Sequence, residues 1–116
     1  MNHPGHPFQL VDWTKIDATK HAGDTGASSW KTLQLPGLRI RVVDYSEGYL
    51  ADHWCRMGHI VYCLQGELIT EHENGEQFVL KEGMMYVVSD NLSSHRSVAR
   101  HPVRLLIVDG DFLRND

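Results

Sequence analysis

From position 38 onward, apolar and polar residues alternate in short runs, and most runs end at a glycine or a polar pair. Residues 38–45 read Leu-Arg-Ile-Arg-Val-Val-Asp-Tyr. Period-two alternation rich in β-branched side chains predicts a strand with one buried face. On that strand Arg39 and Arg41 are expected to point outward as solvated charges. Gly48 predicts a turn into a second strand over 49–55. Residues 59–64 form a compact apolar strand closed by Gly66. Residues 67–73 and 76–80 flank Asn74-Gly75, a pair that supplies both positive-φ residues of a two-residue type I′ hairpin turn. Glu82-Gly83 turns the chain into a strand over 84–89, a polar loop over 90–94 precedes His95, and 103–109 reads as a final buried strand.

Upstream the pattern is weaker. Residues 1–7 are polar and rich in His and Pro, which predicts a loose tail with His3 and His6 solvated. Val11, Trp13 and Ile16 anchor a short lead. Residues 21–29 are small and polar, so they predict a loop or irregular edge. Residues 30–35 predict a short strand ended by Pro36-Gly37. No long amphipathic helix is present in the pattern. Short strands at regular spacing with glycines at the corners predict an all-β barrel or two-sheet sandwich. Barrel closure removes the exposed edges that so many strands would otherwise leave. At 116 residues the chain is one domain, divided into a lead over 1–37 and a barrel over 38–116.

A formal net charge of −4 argues against nucleic acid or an anionic membrane surface as partner. The first nine residues lack the charged start and apolar stretch of a secretory signal, and no apolar run approaches the length of a membrane span. Cys55 and Cys63 do not make a disulfide framework. One bridge between them remains open, and free thiols in a reducing compartment are the plainer reading. The expectation is a soluble, cytoplasmic protein.

Histidine is the compositional outlier, with eight in the chain. The run Asp52-His53-Trp54-Cys55-Arg56-Met57-Gly58-His59 concentrates metal-capable groups. On a strand, residues i and i+2 share a face, so His53 and Cys55 are expected to point together. A bend after Cys55 would return His59 towards them. Trp54 and Asp52 then fall on the opposite face, with packing or a subunit interface as the expected role of Trp54. Cys63 reads as core, Met57, Met84 and Met85 as gap-fillers, His72 as a solvent-facing neighbour of the hairpin and His101 as a loop residue. Tyr86 is a candidate for the barrel mouth.

These residues resemble the cupin superfamily. Its first motif runs Gly, five residues, His-x-His, three or four residues, Glu, six residues, Gly. The chain has Gly48, four residues, His53-x-Cys55, three residues, His59, six residues, Gly66. The second motif runs Gly, five residues, Pro-x-Gly, two residues, His, three residues, Asn. The chain has Gly83, five residues, Ser89-x-Asn91, three residues, His95, with Ala99 in the Asn position. The run 52–55 also looks like a small single-domain group of cupins marked by an Asp, His, Cys and Trp cluster (DHCW).

The resemblance implies a double-stranded β-helix (jelly-roll) barrel, a homodimer and a metal site. Position by position it implies His53 and His95 as ligands, with Cys55 where the second His lies and His59 where Glu lies. The expected cofactor is a divalent transition metal, Zn²⁺, Fe²⁺ or Ni²⁺, since imidazole and thiolate favour these over hard ions. Two arrangements stay open. Three His and one Cys can close a tetrahedron around Zn²⁺, or Cys55 can stay off the metal and leave a three-His face open to substrate. The corresponding functions are a metal-dependent, dioxygenase-like enzyme acting on a small molecule, a non-catalytic metal or ligand-binding module, or a barrel with a decayed site. The fold alone does not choose between them.

Overall fold

The computed structural model describes residues 5–115. Among these, ten strands form two antiparallel sheets: β1 (Thr19–Ala22), β2 (Ala27–Leu35), β3 (Leu38–Tyr45), β4 (Tyr49–Leu50), β5 (His59–Gln65), β6 (Glu67–His72), β7 (Gln77–Lys81), β8 (Met85–Val88), β9 (His95–Ala99) and β10 (Val103–Gly110). One sheet has the order β1-β2-β3-β10-β5-β8 and the other β4-β9-β6-β7. From β3 onward the chain passes back and forth between the sheets, and only β6 and β7 follow each other in one sheet. This is the jelly-roll, and it encloses an apolar core between the two inner faces. Val43, Val61, Cys63, Leu68 and Leu105 are fully buried there, each Val or Leu worth about 1.5–3 kcal/mol relative to exposure. His3 lies outside the described residues.

Three sequence expectations change. First, the strand expected over 49–55 ends at Leu50, and the chain beyond it is irregular until β5. Cys55 makes a single bridge to His95 of β9, with Cys55 N–H donating to His95 O at 2.7 Å and His95 N–H to Cys55 O at 3.0 Å. Without a continuous strand, the parity that would set His53 and Cys55 side by side no longer applies.

Second, Arg39 and Arg41 point inward. On β3 they share parity with Val43, which is 0% exposed, and Arg41 itself is 5% exposed. The register sets Arg39 opposite Asp109 of β10, and this buried acid compensates what would otherwise be a prohibitive desolvation of two guanidiniums. Ile40 and Val42 are therefore on the outer face.

Third, the hairpin between β6 and β7 has a three-residue connection. Gly75 N–H donates to His72 O at 2.9 Å, and His72 N–H to Glu76 O at 2.8 Å. Gly75 has φ 95°, whereas Asn74 is not left-handed. Asn74 instead accepts from Glu76 N–H through its side chain at 2.9 Å. A turn followed by one left-handed glycine replaces the two-residue turn. The lead is also more regular than expected: β1 and an extended β2 pair from Thr19↔Trp30 to Ala22↔Ala27.

Candidate metal centre

The bend after Cys55 is built around Gly58. Its N–H donates to Asp90 Oδ1 at 2.6 Å. A Cβ at Gly58 would lie 2.7 Å from the backbone of Val88 and Asp90, so only glycine lets the segment lie this close to the end of β8. The bend delivers His59, the first residue of β5, to the inner face beside Cys55. His95, the first residue of β9, arrives from the opposite sheet.

Cys55, His59 and His95 form one group, with a ligand atom of each within 4.8 Å of the others. Cys55 Sγ is 3.5 Å from His59 Nε2. His59 Nδ1 donates to Asp109 Oδ2 at 3.1 Å, and Asp109 also accepts from Arg39 Nε and Nη2 at 2.9 Å and from Arg41 Nη2 at 3.0 Å. A carboxylate with two arginines is ionised, so it fixes the proton on Nδ1 and turns Nε2 towards Cys55. His95 Nδ1 lies 2.7 Å from Ser93 Oγ, which leaves Nε2 as the ring nitrogen for Cys55. Two imidazoles held from behind and one thiol thus face a common point. This donor set fits a borderline-soft transition metal.

Electrostatics prepares the thiol. Burial alone would push Cys55 up, but hydrogen bonds from His59, His95 and the Met57 backbone, with the charge of His59, outweigh it and bring Cys55 down to about 5. Burial would likewise lower His59, yet hydrogen bonds with Asp109 and Cys55 and their negative charges raise it above its ordinary value. Asp109, despite burial, is held well below the usual carboxylate range by hydrogen bonds from His59 and Arg39 and by both guanidinium charges. At neutral pH Cys55 is a thiolate, the form that ligates metal.

His53 is not brought into this group. Its side chain is 73% exposed, and Nδ1 pairs with Asp52 Oδ1 at 2.7 Å. It does line the mouth of the same cavity, a space of about 270 Å³ that reaches from Trp30, Arg39 and Arg41 past the three converging residues to Tyr86. Cys55 and Cys63 are both free; Cys63 is core. Trp54 packs on Arg96, whose guanidinium lies 4.4 Å from its ring centroid. His72 is half-buried, opposite His95 in the register, rather than solvated. The residues that sequence reasoning missed are Asp109, Ser93 and Asp90. Asp109 had a signal: it is the acidic residue in phase with Val103, Leu105 and Ile107 on the buried parity of β10.

No protein-family model and no curated protein sequence matches the chain. Solved structures do. Ectoine synthase from P. lautus superposes with TM-score 0.72 at 23% identity, covering 89% of this chain and 78% of that one. A predicted oxalate decarboxylase from Thermotoga maritima gives 0.75 at 16% identity, covering 88% and 98%. A cupin-like protein from the same organism gives 0.71 at 18% identity, covering 90% and 86%. At such identities the likeness is one of architecture: the chain has the cupin jelly-roll fold.

Proposed function

We propose that the protein is a metal-binding cupin that holds a divalent transition metal on Cys55, His59 and His95 and receives a small molecule in the adjoining cavity. The observation that carries this reading is the convergence of one thiolate and two imidazole nitrogens, each oriented by a partner behind it. A metal there would supply Lewis acidity towards a ligand oxygen. The protein's own residues orient and exclude: Asp109 and Ser93 fix the two rings, and Trp30, Tyr45 and Tyr86 wall the cavity. Three ligands leave positions open on Zn²⁺, Fe²⁺ or Ni²⁺. His53, at the rim, is outside the ligand set in this reading, and His53→Ala is expected to retain metal where His59→Ala and His95→Ala lose it. Metal retained after both His59→Ala and His95→Ala would contradict it.

A second reading has its own observation. Cys55, His59 and Asp109 lie in line as thiolate, imidazole and orienting carboxylate, the arrangement of an activated cysteine nucleophile. Metal content separates the two, because a metal would occupy the sulfur.

Within the cupins, we propose the small DHCW group for this chain, a reading supported by the residue types of the Asp52-to-Cys55 run. The paired Asp52 and His53, the stacked Trp54 and the inward Cys55 give the cluster distinct tasks. The free thiols fit a reducing compartment such as the cytoplasm. Among the described residues no helix is long and apolar enough to cross a membrane. We assign the outer face of the larger sheet to a second copy of the chain. Its cross-strand rows Ile40–Val108–Ile60–Val87 and Val42–Leu106–Tyr62–Met85 are apolar throughout, and Val87, Met85 and Tyr62 are exposed.

A further inference from the structure

We propose that the cavity binds a small carboxylate, seated on Arg41 beside the Cys55–His59–His95 group; this rests on the reading that the cavity takes a small molecule and gives that molecule its chemical class. Arg41 is 5% exposed yet uses one of its five N–H donors, Nη2 to Asp109 at 3.0 Å. Its Nε is buried without a partner. Among the donors of Arg41 without a partner only this Nε is cut off from solvent; the others reach the cavity that Arg41 lines, where a ligand can take them. The Trp30 ring lies 4.5 Å from the guanidinium carbon and covers one face. A ligand therefore meets Arg41 along its edge, the approach suited to a planar carboxylate.

Charge points the same way. Arg39 and Arg41 share the single carboxylate of Asp109, which leaves these three side chains with one positive charge in excess. Among the described residues no Asp or Glu lines the cavity. Arg96 also lines it, but Glu71 binds it at 2.8 Å and so cancels its charge. One monoanion neutralises this Arg–Asp cluster, whereas a dianionic phosphate would leave excess negative charge close to Asp109. Position completes the case. Asp109 Oδ2 touches both Arg41 Nη2 and His59 Nδ1, so a carboxylate on Arg41 sits one side chain away from His59. The remainder of the ligand then faces the three converging residues.

The test titrates metal-free protein with benzoate, benzamide and inorganic phosphate, followed by calorimetry and by backbone and indole amide shifts. Benzoate is expected to bind at least about tenfold tighter than benzamide, to outcompete phosphate, and to shift the Trp30 indole and the 39–41 amides. Arg41→Gln should bring benzoate down to the level of benzamide, while Arg41→Lys, which keeps the buried charge, should retain part of the preference. Equal binding of benzoate and benzamide, stronger binding of phosphate, no binding of benzoate, or an unchanged preference in a folded Arg41→Gln would each overturn the proposal. The wild-type comparison decides the matter even if Arg41→Gln fails to fold. Repeating the titration with Zn²⁺ separates this idea from the metal reading. A benzoate preference seen only with Zn²⁺ would mean that the metal holds the carboxylate, which overturns the role of Arg41 and leaves the metal centre intact. A preference in protein that takes up no Zn²⁺ would support Arg41 and sink the metal centre alone.

Discussion

Cys55 carries the strongest consequence at the scale of single residues. In metal-free protein its alkylation by iodoacetamide should rise with pH around a midpoint of about 5 instead of 9.0, while fully buried Cys63 stays unreactive. Bound Zn²⁺ should protect Cys55. The same depression is a stability term. It is complete above the thiol's ordinary value of 9.0 and is lost as pH falls through about 5, because the unfolded chain then binds the proton more readily. The urea midpoint should accordingly fall between neutral pH and about pH 4, and fall less in Cys55→Ser. Asp109 is the second critical residue, as it answers the buried Arg41 and the partly exposed Arg39 and orients His59. Asp109→Asn should destabilise the fold by about 3–5 kcal/mol and weaken metal affinity by about 10–100-fold, measured by denaturation and by competition with a chelator. Of these residues the sequence shows Cys55, His59 and His95 through spacing and residue type. Asp109 is legible only by its phase with Val103, Leu105 and Ile107, a weak signal because an acid at the end of an apolar strand also reads as its polar terminus.

At the scale of elements, strand positions from β3 onward were largely readable, because alternation is imposed by a face that must be buried. Which face was less readable. In β3 the apolar residues Ile40 and Val42 suggested the inside, and only the pairing of Arg39 with Asp109 reverses it. The stretch over 51–55 departs from the expected strand for a related reason. Its residue types allow a strand, but its conformation is set by contacts with β8 and β9 that lie far away in sequence. Gly58 is the test of that segment. Gly58→Ala places a Cβ against backbone that cannot rotate away, so it should cost about 1–3 kcal/mol and lower metal uptake by shifting His59 relative to Cys55. A calorimetric melt with metal analysis of the same sample checks both outcomes. Normal stability and full metal loading would show that the bend is not held where the Gly58–Asp90 hydrogen bond places it.

For the whole molecule, the inward arginines and the outward apolar rows are two sides of one register. The strand that builds a cationic cavity wall also presents Ile40 and Val42 to the outside, in line with Leu106, Val108, Ile60 and Tyr62. A sheet face of this kind is normally covered in a stable protein. Tyr62→Glu, at the centre of the rows, should convert a dimer to a monomer in sedimentation analysis without loss of metal. A wild-type monomer at micromolar concentration would contradict the assignment of that face to a second copy. The jelly-roll was legible from strand spacing and the two modified motifs, since many short strands with one apolar face each must bury those faces against one another. The site was legible as a neighbourhood: of the four candidate residues, Cys55, His59 and His95 converge, whereas His53 stays exposed and pairs with Asp52.

The most direct measurement is the metal content of purified protein after incubation with Zn²⁺, Fe²⁺ or Ni²⁺ and exhaustive dialysis, compared across wild type, His53→Ala, Cys55→Ser, His59→Ala and His95→Ala. A centre built from Cys55, His59 and His95 predicts one tightly held ion per chain in wild type and in His53→Ala. It predicts marked loss in the other three. No retained metal in wild type, or full retention when His59 and His95 are replaced, would contradict it.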